Sequence, residues 1–180
     1  DYERGLRMMK EYVETGEVLS RVDMQGVIDL PEQYYVGTQR HGTIKESDKS
    51  MKEAFPTLMQ YVSDKQIQTV GVPGSIYHVF DFKTGKMHYT AMAPVSKETY
   101  EGLEVEDGML KGMVPATKAV KVAHTGSYKN LDNPWMAGFS YIRGKKLKQN
   151  KAIVPMDIYI DDPRKVEDKN LRTEIYIPVK

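Results

Sequence analysis

Apolar residues recur along this chain with two different periods, and each change of period marks a new element. Over residues 3–14, Leu6, Met9 and Val13 fall at spacings of three and four, which predicts a helix ended by Gly16. Residues 22–30 and 34–41 read as extended, with Pro31 between them. From Ser47 to Ser63 the helical period returns, with Met51, Phe55, Leu58 and Val62 on one stripe. Pro56 inside that stripe predicts a kink or a late helix start. Residues 75–82 and 87–95 are predicted strands joined by the hairpin connector Lys83-Thr84-Gly85-Lys86. Residues 96–116, with Gly102, Gly108 and Gly112, read as the loop-rich middle of the chain. Residues 118–124 alternate as a half-buried strand does. A second helix is predicted with Asn133 as its cap, Pro134 in its first turn, Trp135, Phe139 and Ile142 as its stripe, and Gly144 at its end. Residues 153–161 and 171–179 complete the strands.

The two halves repeat each other. Val72-Pro73-Gly74-Ser75-Ile76-Tyr77 matches Val154-Pro155-Met156-Asp157-Ile158-Tyr159 at an offset of 82. Ala93-Pro94-Val95 matches Ile177-Pro178-Val179 at an offset of 84, and His41-Gly42 falls near the counterpart of His124-Thr125-Gly126. Each half reads strand, helix, strand, strand, and a steady offset of this kind points to internal duplication. One half alone would leave a sheet face uncovered, whereas two can cover each other. The predicted fold is therefore α+β, a tandem duplication of a β-α-β-β unit whose two antiparallel lobes enclose a central cleft. Half-repeats are expected over about 21–100 and 113–180, within one domain over 21–180.

Alternation along the strands then nominates a cleft face. Taking Ile158, Ile160, Ile175 and Ile177 as core-facing puts Asp157, Tyr159, Glu174 and Tyr176 on the opposite side. The repeat adds Ser75 and Tyr77 from one strand and Thr90 and Met92 from its partner. Rings hold a cation or a flat molecule by cation–π attraction and stacking, and a carboxylate in a partly dry hollow prefers a cationic partner. Plainer roles compete with this reading. Glu174 could pair with Arg172, Asp157 and Tyr159 could face solvent, and Trp135 could serve the core.

Bulk properties narrow the field. The chain of 180 residues has 26 Lys and Arg against 25 Asp and Glu, so no basic stripe argues for direct nucleic-acid binding. With no cysteine there are no disulfides, thiol nucleophiles or thiolate metal sites. His41, His78, His88 and His124 lack metal-ligand spacing, so neither a metal nor another cofactor is expected. No apolar run has the length of a membrane span and no signal peptide is visible, so the cytoplasm is the expected compartment. The chain starts at Asp1 without methionine, so residues 1–20 are expected to be an extension or the remnant of a preceding, attached domain. Twelve Tyr and eleven Met supply rigid amphipathic rings and adaptable packing, suited to core filling or to a binding surface.

The carboxy-terminal half carries a more specific pattern: His124-Thr125-Gly126-Ser127-Tyr128, then Trp135, then Asp157-Ile158-Tyr159-Ile160-Asp161-Asp162-Pro163, closing with Leu171-Arg172-Thr173-Glu174-Ile175-Tyr176-Ile177-Pro178-Val179. This resembles the GyrI-like small-molecule-binding family, over roughly residues 22–180. Related effector-binding domains sit behind DNA-binding segments in bacterial regulators of the AraC and MerR types. The resemblance implies a tandem pair of strand–helix–strand–strand units, in agreement with the repeat, and binding of hydrophobic, often cationic compounds in the central cleft. It places the family's pocket glutamate on Glu174 and its aromatic positions on Tyr176, Tyr159 and Trp135. The acidic position before the Ile-Tyr pair, often Glu in the family, is Asp157 here. The residues expected to line the ligand site are thus Glu174, Tyr176, Tyr159, Asp157, Tyr77, Met92 and Trp135. Members that hydrolyse strained toxins and members that modulate gyrase keep two alternatives open: a hydrolase, with Glu174 as its base, and a protein-interaction module.

Overall fold

The structure, a computed structural model, describes residues 20–81 and 83–180 and a few isolated positions before Ser20. The helix expected over residues 3–14, and the extension it belongs to, lie outside the described residues. In chain order the elements are β1 (Ser20–Leu30), β2 (Gln33–Thr43), α1 (Ser47–Asp64), β3 (Gly74–Asp81), β4 (Lys86–Val95), α2 (Lys97–Gly102), β5 (Leu110–Val114), β6 (Thr117–Gly126), α3 (Asp132–Gly144), β7 (Met156–Tyr159) and β8 (Arg172–Val179). All eight strands form one antiparallel sheet, ordered β1-β6-β8-β7-β3-β4-β2-β5.

That order reads the same from both ends once the halves are exchanged, so the duplication is visible in the topology. Each half also has a leading strand ahead of its strand, helix, strand, strand: β1 falls on the extended stretch expected over 22–30, whereas β5 lies within the stretch expected to be loop. The leading strands are exchanged. β1 pairs with β6 of the second half, and β5 pairs with β2 of the first. The reason lies at the two corners, Leu30-Pro31-Glu32-Gln33 and Val114-Pro115-Ala116-Thr117. A two-residue hairpin needs positive φ in its turn, and proline is locked near −65°, so neither corner can fold its strands back on each other. The strands splay instead, and each leading strand completes the other half.

The helices end alike. Lys65, Gln66 and Ile67 donate their N–H groups to Tyr61, Ser63 and Val62, just as Lys145, Lys146 and Leu147 donate to Tyr141, Arg143 and Ile142. Gln66 and Lys146 have φ of 51° and 55°, the left-handed turn that closes each helix. α1 runs through Pro56 as one helix. Proline removes a single backbone hydrogen bond, while Ala54, Leu58, Tyr61 and Val62 bury a continuous face on the sheet. α3 begins at Asp132, and Asn133, instead of capping it, donates to the Ser20 hydroxyl.

α1 packs on β2 and β4, and α3 on β6, β1 and β8, all on one face of the sheet. Between them β3 and β7 form the floor of a seam. Gly74 allows this junction, because a Cβ there would collide with the Asp157 carbonyl oxygen and lie 2.7 Å from Ile158 Cδ1. The reverse face carries its own apolar cluster: Leu30, Tyr35, Ile76, Met92, Val114, Ala119, Met156 and Tyr176. No helix is long and apolar enough to cross a membrane among the described residues.

Candidate functional site

The β3–β7 ladder fixes what meets at the centre. Gly74 faces Ile158, Ser75 faces Asp157 and Ile76 faces Met156. Ser75 and Asp157 are equivalent positions of the repeat, 82 apart, so the approximate two-fold axis of the molecule passes between them. Two reciprocal backbone bonds flank them: Tyr77 donates to the Pro155 carbonyl at 3.0 Å, and Tyr159 to that of Pro73 at 2.9 Å. The side chains follow the same symmetry. The Tyr77 hydroxyl donates across the axis to Asp157 Oδ2 at 2.8 Å, and the Tyr159 hydroxyl meets Ser75 Oγ at 2.9 Å. The Ser75 N–H donates to Asp157 Oδ1 at 3.2 Å.

Above these tyrosines stand two rings, one from each helix. Phe55 of α1 packs edge-on against Tyr159 (centroids 5.3 Å, 83°), and Trp135 of α3 packs edge-on against Tyr77 (5.4 Å, 86°). Phe55 and Trp135 are themselves equivalent, 80 positions apart. Four rings thus enclose the axis, each helix reaching onto the tyrosine of the other half. Tyr128 packs against Tyr159, Phe80 against Tyr77, and Phe139 stacks on Trp135. Phe55 and Trp135 are half-buried, whereas Ser75 and Asp157 are 0% exposed.

Burial dominates the electrostatics. Desolvation lifts the Asp157 carboxyl to about 7, against the hydrogen bonds from Tyr77 and the Ser75 N–H. Burial, reinforced by the Asp157 carboxylate, pushes the Tyr77 and Tyr159 hydroxyls well above the usual phenol range, and burial lifts Tyr128 to about 12. No Lys or Arg pairs with Asp157 among the described residues.

The expected convergence of three tyrosines and two carboxylates on one face is corrected by the register. Asp157 lies opposite Ile175, and Tyr159 opposite Thr173, so Asp157, Tyr159, Ser75 and Tyr77 share the helix face with Ile175 and Ile177. Glu174, Tyr176, Thr90 and Met92 point to the reverse face. There Lys121 Nζ pairs with Glu174 Oε1 at 2.8 Å, and the Tyr176 hydroxyl donates to Glu174 Oε2 at 2.5 Å. Burial would raise the Glu174 carboxyl, but Lys121 and Tyr176 overcome it and hold it below its usual range. Arg172, the partner weighed for Glu174, binds Asp161 instead. Taking Ile158 and Ile160 as core-facing along with Ile175 and Ile177 inverts the parity of β7, since Ile158 lies opposite Glu174. Hydrogen bonds from the Tyr77 hydroxyl and the Ser75 N–H let Asp157 stay on the apolar side. Of the expected site residues, the fold gathers Asp157, Tyr77, Tyr159 and Trp135, and it separates Glu174, Tyr176 and Met92 from them.

Phe55 and Tyr128 lie outside the expected site, while Ser75 belongs to the nominated cleft face though not to the residues expected to line the ligand. The strand offsets of 82 and 84, applied to Trp135, lead to Glu53 and Met51 and miss Phe55, because the helices repeat at 80. His41, His88 and His78 stack on neighbouring strands with centroids 3.8 and 4.6 Å apart, yet no group of His, Asp and Glu that could hold a metal occurs among the described residues.

Comparison with known proteins agrees with this architecture. The family model for the GyrI-like small molecule binding domain matches residues 27–180. The transcriptional regulator BrlR of Pseudomonas aeruginosa is 30% identical over 95 residues, which is 53% of this chain and 34% of the regulator. The chain therefore spans about a third of that protein's length. Among solved structures, the C-terminal domain of EcmrR superposes with a TM-score of 0.70 at 20% identity, over 90% of this chain and 98% of that domain. SAV2435 bound to tetraphenylphosphonium superposes with a TM-score of 0.60 at 16% identity, over 88% of this chain and 94% of that one.

Proposed function

The chain belongs to the GyrI-like small-molecule-binding family, and from that premise we propose that it binds lipophilic aromatic cations in the seam between α1 and α3. One observation carries this reading: a fully buried carboxylate, Asp157, lies with no basic partner among the described residues beneath four rings drawn from both halves. An isolated buried carboxylate is costly, and its hydrogen bonds offset only part of that cost. A cation among the rings would supply the missing charge, held by the ring faces and by attraction to Asp157 through the short Tyr77 bridge. Glu174 has that charge already, from Lys121 on the other face. In this reading the acidic anchor is Asp157, and Glu174, Tyr176 and Met92 brace the sheet from behind. Tetraphenylphosphonium, the ligand named for SAV2435, is a cation of the proposed class. The similarity to the transcriptional regulator BrlR supports a sensory role, in which occupancy of the seam is passed to an attached domain.

The test is calorimetric titration of tetraphenylphosphonium, with the fluorescence of Trp135, the sole tryptophan, as a second readout. Asp157→Asn should weaken binding by about tenfold or more, and Glu174→Gln by no more than about threefold. The reverse order of effects would move the site to the other face of the sheet.

A further inference from the structure

The repeat sets the main parts of the seam in equivalent pairs, and at the axis these differ in charge. Backbone bonds, tyrosines and roofing rings occur in equivalent pairs. At the axis itself the pair is Ser75 and Asp157, a hydroxyl facing a carboxylate. We propose that Ser75 is a specificity-determining residue: by filling the position equivalent to Asp157 with a neutral group, it confines the seam to ligands bearing one positive charge. This rests on the reading of the seam as a cation site and adds which cations it takes.

The argument begins with what a second carboxylate would do. Residues facing each other on antiparallel strands have Cβ atoms about 4.5–5.5 Å apart. Both positions here are fully buried. Two carboxylates so placed cannot both ionise and would share a proton until a second cation arrived. Serine avoids that pair while still meeting the Tyr159 hydroxyl at 2.9 Å. The axis pair therefore carries one carboxylate and no more. Asp161 and Asp162, on the segment leaving β7, add no net charge, because Arg172 and Arg164 each clasp one of them through two nitrogens. Glu174 lies behind the sheet and is paired. A dication in the seam would leave its second charge among aromatic rings without a counter-charge. A neutral molecule of the same shape would leave Asp157 uncompensated or protonated. Both lose to a monocation.

Three flat biaryls of nearly equal shape separate these cases: para-methylbiphenyl, its monocationic analogue N-methyl-para-phenylpyridinium, and the dication methyl viologen. Each is titrated calorimetrically into the wild-type chain, Ser75→Asp, and the exchange variant Ser75→Asp with Asp157→Ser. The wild type should favour the monocation over both others by about tenfold or more. Ser75→Asp should shrink the deficit of the dication by at least about fivefold. The exchange variant carries one carboxylate again, moved across the axis to the tyrosine equivalent to Tyr77. It should restore the monocation preference to within about threefold of wild type. If Ser75→Asp binds the monocation but leaves the monocation-to-dication ratio unchanged, Ser75 does not set the charge, and the cation site itself still stands. If wild type binds none of the three, the cation site falls and this inference with it. Should Ser75→Asp fail to fold by circular dichroism, the exchange variant decides. A kept preference supports the role, and a folded variant that discriminates no longer overturns it.

Discussion

At the residue scale, two buried groups make opposite demands on protons. Asp157 sits near 7 in the folded chain against an ordinary 3.8, because burial disfavours its charge. Between those values the native state keeps a proton that the unfolded chain has released. Stability from this group therefore falls as pH rises from about 4 to 7, by on the order of 4 kcal/mol. His124 is buried at the β1–β6 pair, where its Nε2 lies 3.0 Å from the Ser20 hydroxyl, and burial lowers it to about 4. There the unfolded chain takes up the proton first, so stability falls as pH drops from about 6.5 to 4. The two slopes oppose each other and largely cancel between about pH 4.5 and 6.5, so the remaining slope of the wild type is the loss on acidification from His78 and His88, which burial also lowers. Asp157→Asn should lose stability on acidification through that window, and His124→Gln should gain it, as read from urea midpoints at stepped pH. Parallel profiles for all three proteins would show that neither group is buried as described. Asp157 also marks the limit of residue-level reading from sequence. Its convergence with Tyr77 and Ser75 was legible, but its face was not. Alternation, with Ile158 taken as core-facing, assigns the carboxylate to the opposite side, and only the pairing with Ser75 and Tyr77, 82 and 80 positions away, makes the apolar side tolerable.

At the element scale, long periodic segments were legible and short borrowed ones were not. α1, β3, β4, β6, α3 and β8 announce themselves because each buries a face of its own. β5 is five residues with Gly112 at its centre, and it is a strand only because β2 offers an open edge. Nothing within residues 96–116 encodes that edge. α2 did leave a local trace, since the Ser96 side chain accepts from the Thr99 N–H as a helix cap does. The junction of β3 with β7 depends on one residue. Gly74→Ala would force a methyl group into the Asp157 backbone, which cannot withdraw without parting the ladder. A loss of about 2 kcal/mol or more is expected, with lowered affinity for tetraphenylphosphonium because the floor of the seam shifts. Gly102→Ala, where an added Cβ meets nothing, serves as the control and should leave both unchanged. Equal thermal midpoints for the two variants would mean that the strands are not in the contact described.

At the scale of the whole molecule, the exchange of β1 and β5 determines which pieces can stand alone. A chain cut near residue 105 gives two fragments, each with its leading strand lacking a partner and the inner edge of its sheet open. Such edges and half-covered faces drive association. The two fragments should therefore combine into a complex that restores the near-ultraviolet signal of Trp135 packed on Tyr77. Each fragment can also satisfy itself by pairing with a second copy, since the halves are equivalent, and here the axis decides between them. Two copies of the first fragment bring Ser75 against Ser75, a neutral contact. Two copies of the second bring Asp157 against Asp157, two carboxylates facing each other in a dry interior, which is tolerable only when protons neutralise or bridge them. The first fragment should thus sediment as a dimer irrespective of pH between about 5 and 8. The second should dimerise towards pH 5 and dissociate or unfold towards pH 8. Asp157→Ser in the second fragment should remove that dependence. Monomeric, folded fragments at all pH values would mean that the exchanged strands are dispensable. An unchanged pH response in the Asp157→Ser fragment would mean that the acid group at the axis does not govern how the halves meet.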